Sequence, residues 1–280
     1  MPSTPRDAAV EANGLSLHYL DWGGSAAVPA LAFHGFALNC HSWDEVAPAL
    51  LQRVRLLAFD QRGHGLSDRA PEMRGYSRDA MVADIEEIVR GLELDRPVIL
   101  GHSMGGMNAL CFAGRHPDRV RALVLVDVGP EIRVDGANEV IQFVQGPYEL
   151  ESLDAWVEHT HRYYPYRSKE GIRRRLEVSL VETERGTLRK QYDERFRGDF
   201  GGVEPSLDDI WDAARAIRCP TLLVHGGASP VLSLEMAQRF ADEVEKVRFT
   251  SIPGAGHSVA GDKPAEFSRV VLDFLSEVAD

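Results

Sequence analysis

Short apolar runs closed by turn residues recur along the chain. Leu15 to Leu20 alternates and ends at Asp21-Trp22-Gly23-Gly24. Ala30 to Phe33, Leu56 to Phe59, Val98 to Leu100, Ala122 to Val126 and Thr221 to Val224 are apolar almost throughout, and Val247 to Ile252 runs into Pro253-Gly254. Continuous apolar runs of this length suit strands buried on both faces. Between them lie stretches of helical period. Ser77 to Leu92 carries Met81, Ile85, Ile88, Val89 and Leu92 on one stripe, Met104 to Arg115 is rich in small residues, and Leu234 to Glu243 and Pro264 to Val278 close the chain. Alternation of strand and helix predicts an α/β fold: a mostly parallel central sheet with helices on both faces.

One segment breaks the alternation. From Pro130 to Ala216 no strand-like run stands out, whereas Leu153 to Tyr163, Glu170 to Val181 and Leu207 to Ala216 have helical patterns. The expected organisation is a core of residues 1–129 and 217–280 with a helical lid, residues 130–216, inserted after the Asp127 strand. Such an insertion would sit over the carboxyl ends of the strands, where ligands bind in α/β sheets.

The candidate chemistry starts at Gly101-His102-Ser103-Met104-Gly105, a G-x-S-x-G pattern with a strand before it and a small-residue helix after it. A sharp strand-to-helix turn would present the Ser103 hydroxyl at a helix N-terminus, whose positive end favours developing negative charge. A serine hydroxyl needs a base. His257 lies in a Gly/Pro-rich loop after the last strand, from which an imidazole can reach the turn. The backbone N–H of Met104 is, by position, one donor of an oxyanion hole.

The sequence resembles the α/β-hydrolase superfamily. His34-Gly35-Phe36 follows the third strand as in that family, and Asp60-Gln61-Arg62-Gly63-His64-Gly65-Leu66-Ser67 matches its D-x-R-G-x-G-x-S turn. Gly101 to Gly106 matches its nucleophile turn, and Pro253-Gly254-Ala255-Gly256-His257 its histidine loop. The resemblance implies Ser103 as nucleophile, His257 as base and the Phe36 N–H as second oxyanion donor. It makes His34, His64, Arg62 and His102 structural.

The acid is less routine. Many relatives keep it after the strand Thr221 to Val224, but the loop His225-Gly226-Gly227-Ala228-Ser229-Pro230-Val231 has no carboxylate. Some relatives carry it one strand earlier, which here is Asp127. The implied catalytic set is Ser103, Asp127 and His257, with no cofactor and no metal. The implied activity is hydrolysis of a carboxylic ester or amide of a small molecule. Carbon–carbon bond hydrolysis of a vinylogous diketone, cofactor-free oxygenation or perhydrolysis, and ligand-binding receptor function on the same fold remain alternatives.

The lid adds one clue to substrate. Arg162, Arg167, Lys169, Arg173, Arg174 and Arg175 are interrupted by a single acid, Glu170, and are interleaved with Tyr163, Tyr164 and Tyr166. If the segment faces the pocket, Arg162, Arg167 and Tyr163 are candidates to bind a carboxylate on the substrate. The alternative is a solvated helix face.

Composition narrows the partners. The formal net charge of -12 argues against nucleic acid and for a small-molecule acyl substrate. Three cysteines, with no CxxC pair, are not a disulfide framework. With no apolar leader or membrane-length run in view, a cytoplasmic protein is expected, without a membrane partner. The oligomeric state is open, a homodimer included.

Overall fold

The apolar runs become the inner strands of one sheet in the computed structural model, which describes residues 4–24, 28–164, 167–198 and 206–278. The first strands are β1 (Arg6–Ala12), β2 (Leu15–Gly23), β3 (Pro29–Phe33), β4 (Arg55–Phe59), β5 (Val98–His102) and β6 (Ala122–Val126). There follow β7 (Glu149–Leu150), β8 (Leu180–Glu182), β9 (Leu188–Lys190), β10 (Thr221–Gly226) and β11 (Val247–Ile252). The helices are α1 (Ala47–Leu50), α2 (Arg78–Gly91), α3 (Met104–Arg115), α4 (Val134–Gln145), α5 (Leu153–Tyr163) and α6 (Lys169–Glu177). The last four are α7 (Leu207–Arg215), α8 (Leu234–Glu243), α9 (Val259–Asp262) and α10 (Pro264–Val278).

Eight strands form the central sheet in the order β1-β2-β4-β3-β5-β6-β10-β11. β1 pairs antiparallel with β2, and β2 with β4; from β4 through β11 every pairing is parallel. The fold class is therefore the expected one. β1 is an addition that the apolar pattern missed: it is a largely exposed edge strand with few large apolar residues. Asn13-Gly14, both at positive φ (52° and 76°), closes its hairpin, as a two-residue turn of matching twist requires.

Both faces of the parallel strands are covered, which explains their unbroken apolar character. In β5, Ile99 points into a core shared with α2, α3, α7 and α8. Val98 and Leu100 point the other way, into a core shared with α1, α9 and α10. Helix starts are set locally: Ser77 accepts the Ala80 N–H at 3.3 Å and Ser233 the Met236 N–H at 3.1 Å, supplying acceptors to otherwise orphan donors.

The segment between β6 and β10 departs from expectation in two ways. It contains strands: β7, β9 and β8 form a separate small antiparallel sheet. The helical pattern from Glu170 to Val181 ends at Glu177, and its tail turns into β8. This sheet packs with α5 and α6 around Trp156, Val157, Ile172, Leu176 and Leu180. Strands of two or three residues carry no readable period, so the pattern could not show them. Second, α7, expected in the lid, lies against the core. Its Trp211 and Ala214 are buried with α3, and the Trp211 ring meets Phe240 edge-on at 6.2 Å.

That placement makes a prediction. Trp211→Ala should lower the unfolding free energy of the whole chain by about 3–5 kcal/mol, as a core cavity does. Chemical denaturation with a single transition would show it; an unchanged midpoint would return α7 to a peripheral role.

Candidate active site

The turn between β5 and α3 is built under strain. Ser103 has φ 50° and ψ −116°, a conformation costly for a residue with a side chain and found where the surroundings over-determine it. Here the surroundings are close. A Cβ at Gly101 would fall 2.5 Å from the Gly106 Cα, and one at Gly105 would fall 2.5 Å from the Phe33 carbonyl oxygen. The Gly105 N–H donates to the His34 carbonyl at 3.1 Å and the Ser103 N–H to the Val126 carbonyl at 3.1 Å, tying the turn to both neighbouring strand ends. Met104 is the first residue of α3, so its N–H has no acceptor within the helix.

Three strand ends bring three side chains into one line. His257 Nε2 lies 2.9 Å from Ser103 Oγ, and His257 Nδ1 lies 2.7 Å from Asp127 Oδ2. Asp127 follows β6 at φ 52° and is wholly buried. Its Oδ1 accepts the Gly226 N–H at 2.8 Å, and its Oδ2 accepts the Ser229 hydroxyl as well as the imidazole. The loop after β10, which has no acid of its own, thus supplies donors to the acid one strand away. Ser229 was not singled out from the sequence, where nothing distinguishes it from any loop serine. Its oxygen also accepts the Val231 N–H at 3.0 Å, which holds the hydroxyl in place.

The other histidines brace this line. His102 Nε2 donates to the His257 carbonyl at 2.9 Å, and burial, with the nearby His257 ring, pushes its pKa well below the usual range. His34 accepts the Gln61 N–H on Nε2 at 3.0 Å and so donates from Nδ1 to the Gly35 carbonyl at 2.8 Å. His64 accepts the Ala37 N–H at 3.2 Å; burial pushes it down to about 3, so it stays neutral. In the Asp60 turn, burial alone would raise the carboxyl. Hydrogen bonds from His18, Leu66 and Cys40 outweigh it and bring Asp60 to about 2. His18, Cys40 and Asp60 place potential ligand atoms within 4.8 Å of one another. The Asp60 oxygens are already engaged by those donors, and the Cys40 thiol is pushed far up by burial, so the group suits a hydrogen-bonded turn better than a metal.

A cavity of about 100 Å³ leads to Ser103 and His257. Phe36 from the loop after β3 lines it, with Val140 and Phe143 of α4, Ile172 and Leu176 of α6, and Tyr164. Its cations only partly match the expected set. Arg162 and Tyr163 are exposed on the outer side of α5 and do not line it. The reason is helical phase: Thr160 and Tyr164, four residues apart, face inward, and positions between them turn away. Tyr166 lies outside the described residues. Arg167 does line the cavity, and its Nε donates to Asp262 Oδ1 at 2.5 Å. Asp262 Oδ2 accepts the Gly256 N–H at 2.9 Å, next to His257, so Arg167 joins the lid to the histidine loop.

Arg173 and Arg174 pair outward with Asp154 and Glu170. Arg175 and Lys190 line the cavity and were not among the expected ligands. Burial pushes Arg175 down to about 10, with the Arg167 charge adding to the effect. Burial, and then the charge of Arg175, push Lys190 down to about 8.

The comparisons agree with this geometry at the level of fold and family. A family model described as the alpha/beta hydrolase fold matches residues 29–264. An esterase of Mycobacterium tuberculosis is 31% identical over 97% of this chain and 89% of its own. A fluoroacetate dehalogenase of a Burkholderia species is 29% identical over 91% of this chain and 89% of its own. A solved alpha/beta hydrolase from Novosphingobium aromaticivorans superposes with a TM-score of 0.90 over 99% of this chain and 100% of its own, at 24% identity, a likeness of fold. No described helix is long and apolar enough to cross a membrane. On its strand order, its strained serine turn and the match across most of its length, this chain belongs to the α/β-hydrolase fold family.

Proposed function

We propose that the chain is a serine hydrolase that cleaves a carboxylic ester or amide of a small molecule through an acyl-enzyme. The observation that carries the reading is the unbroken chain of contacts from Ser103 Oγ to His257 Nε2 (2.9 Å) and from His257 Nδ1 to Asp127 Oδ2 (2.7 Å). In this reading His257 takes the Ser103 proton as Oγ attacks the carbonyl carbon. The imidazolium that forms is stabilised by the Asp127 carboxylate, which also fixes the tautomer. The oxyanion is held by the Phe36 and Met104 N–H groups. His257 then protonates the leaving oxygen or nitrogen, and the acyl group stays on Ser103. A water molecule, losing its proton to His257, attacks the ester, and collapse returns the proton to Ser103 and releases the acid.

The esterase relative supports this reading, and the dehalogenase relative shows that the family alone does not choose the bond broken. What favours acyl transfer in this chain is a serine at the strained turn with an imidazole already in hydrogen-bonding reach.

A fluorophosphonate probe should label the wild-type protein at Ser103 and leave Ser103→Ala unlabelled, as read by peptide mass spectrometry. Absence of label on the wild type would sink the nucleophile assignment. Asp127→Asn should keep the fold by circular dichroism and lower kcat by about 10³–10⁴, because the wrong tautomer is then held. Wild-type turnover in that variant would remove Asp127 from the mechanism. Ser229→Ala withdraws one hydrogen bond from the acid. A kcat about tenfold lower is expected, the weight of a bond to a charged group, with KM little changed; an unchanged kcat would make Ser229 a loop residue only.

A further inference from the structure

We infer that Arg175 and Lys190 together form a subsite for a carboxylate carried by the substrate, so that the preferred substrate is a half-ester or half-amide of a short dicarboxylic acid. The inference rests on the reading of Ser103 as nucleophile only for what happens after binding. Both cations line the same cavity as Ser103 and His257. They come from different elements, α6 and β9, and the charge of Arg175 is felt at Lys190.

Their counter-charges are missing or already taken. Among the described residues neither cation has a carboxylate within 4 Å, and the buried Arg175 Nη1 meets no hydrogen-bond acceptor. Asp262 acts on Arg175 electrostatically, but its two oxygens accept from Arg167 and from the Gly256 N–H. Glu45 also acts on Arg175; with Asp44 it shares a neighbouring groove that Arg175 lines too, but neither carboxylate lines the cavity over Ser103. Lys190 Nζ lies over the Trp156 ring at 4.5 Å and the Phe143 ring at 5.3 Å. Ring faces hold an ammonium in place without neutralising it.

A pocket cation without a partner is costly, because desolvation is not offset by a counter-ion. That cost is recovered when a ligand brings a carboxylate, which accepts from a guanidinium fork and an ammonium at once. The remaining walls, Val140, Phe143, Ile172 and Leu176, are apolar and suit the methylene chain between the carboxylate and the scissile carbonyl. Helical phase explains why this pair, and not the other lid arginines, is available. Ile172, Arg175 and Leu176 lie on the inward face of α6, while Arg173 and Arg174 fall outside it and find acids there.

Calorimetric titration of glutarate and of pentane-1,5-diol, its uncharged counterpart of equal chain length, into the intact protein tests the subsite apart from the chemistry. Wild type should bind glutarate about tenfold or more tightly than the diol. Arg175→Gln and Lys190→Met should each erase most of that preference, and Lys190→Arg should keep it. Gly261→Ala offers a second route that removes no charge. Its methyl would fall 2.1 Å from Arg175 Nη1, so the guanidinium must move. That variant should also weaken glutarate, and it carries the test if Arg175→Gln fails to fold. Equal binding of glutarate and the diol by wild type, or a preference that survives Lys190→Met and Gly261→Ala, would overturn the inference. A protein that labels at Ser103 but shows no carboxylate preference loses the subsite alone. One that prefers glutarate through Arg175 and Lys190 but never labels at Ser103 loses the hydrolase reading alone.

Discussion

A carboxylate with no exposure to solvent must be met by donors, and Asp127 is met by donors from two other strand ends. The Gly226 N–H and the Ser229 hydroxyl come from the loop after β10, and the His257 ring comes from the loop after β11. Any one of these bonds alone would only cap a loop. Together they fix the distance between the ends of β6, β10 and β11, and thereby the reach of His257 toward Ser103. The strain at Ser103 and at Asp127, both at positive φ, is held by the same meeting of strand ends. His102 adds a further tie by donating to the His257 carbonyl from the position beside Ser103.

The lid is attached to this arrangement through charge. Arg167 and Asp262 form a largely buried pair, and Asp262 reaches on to the Gly256 N–H. Position of the lid and position of the histidine loop are therefore coupled through one carboxylate. The same pair leaves the lid's other inward cations without a shared acid, which sets the electrostatic character of the cavity over Ser103. Outward arginines of the same run behave as ordinary surface ion pairs, worth little to stability.

Legibility followed the range of the interactions. The parallel strands could be read because burial on both faces leaves a continuous apolar run, as in Ala122–Val126, where every residue is buried. The serine turn could be read because close backbone approach admits only glycine at Gly101 and Gly105. β1 was missed because an exposed edge strand needs few large apolar residues, and β7, β8 and β9 because they are too short to show a period. The pattern of α7 was read correctly as a helix but assigned to the wrong layer. Amphipathic period says that a face is buried, not against what.

The parallel strands and the glycine-framed serine turn were legible in the sequence because they depend on contiguous apolar runs and on close backbone approach, whereas Asp127 as the acid followed only from resemblance to the family. Which of the lid's basic residues face the cavity over Ser103 is set by packing between distant segments. Arg162, Arg167 and Arg175 look alike in the chain. Helical phase turns the first outward, an ion pair with Asp262 engages the second, and the fold leaves the third facing the same cavity as Lys190, fifteen positions away on a strand too short to foresee.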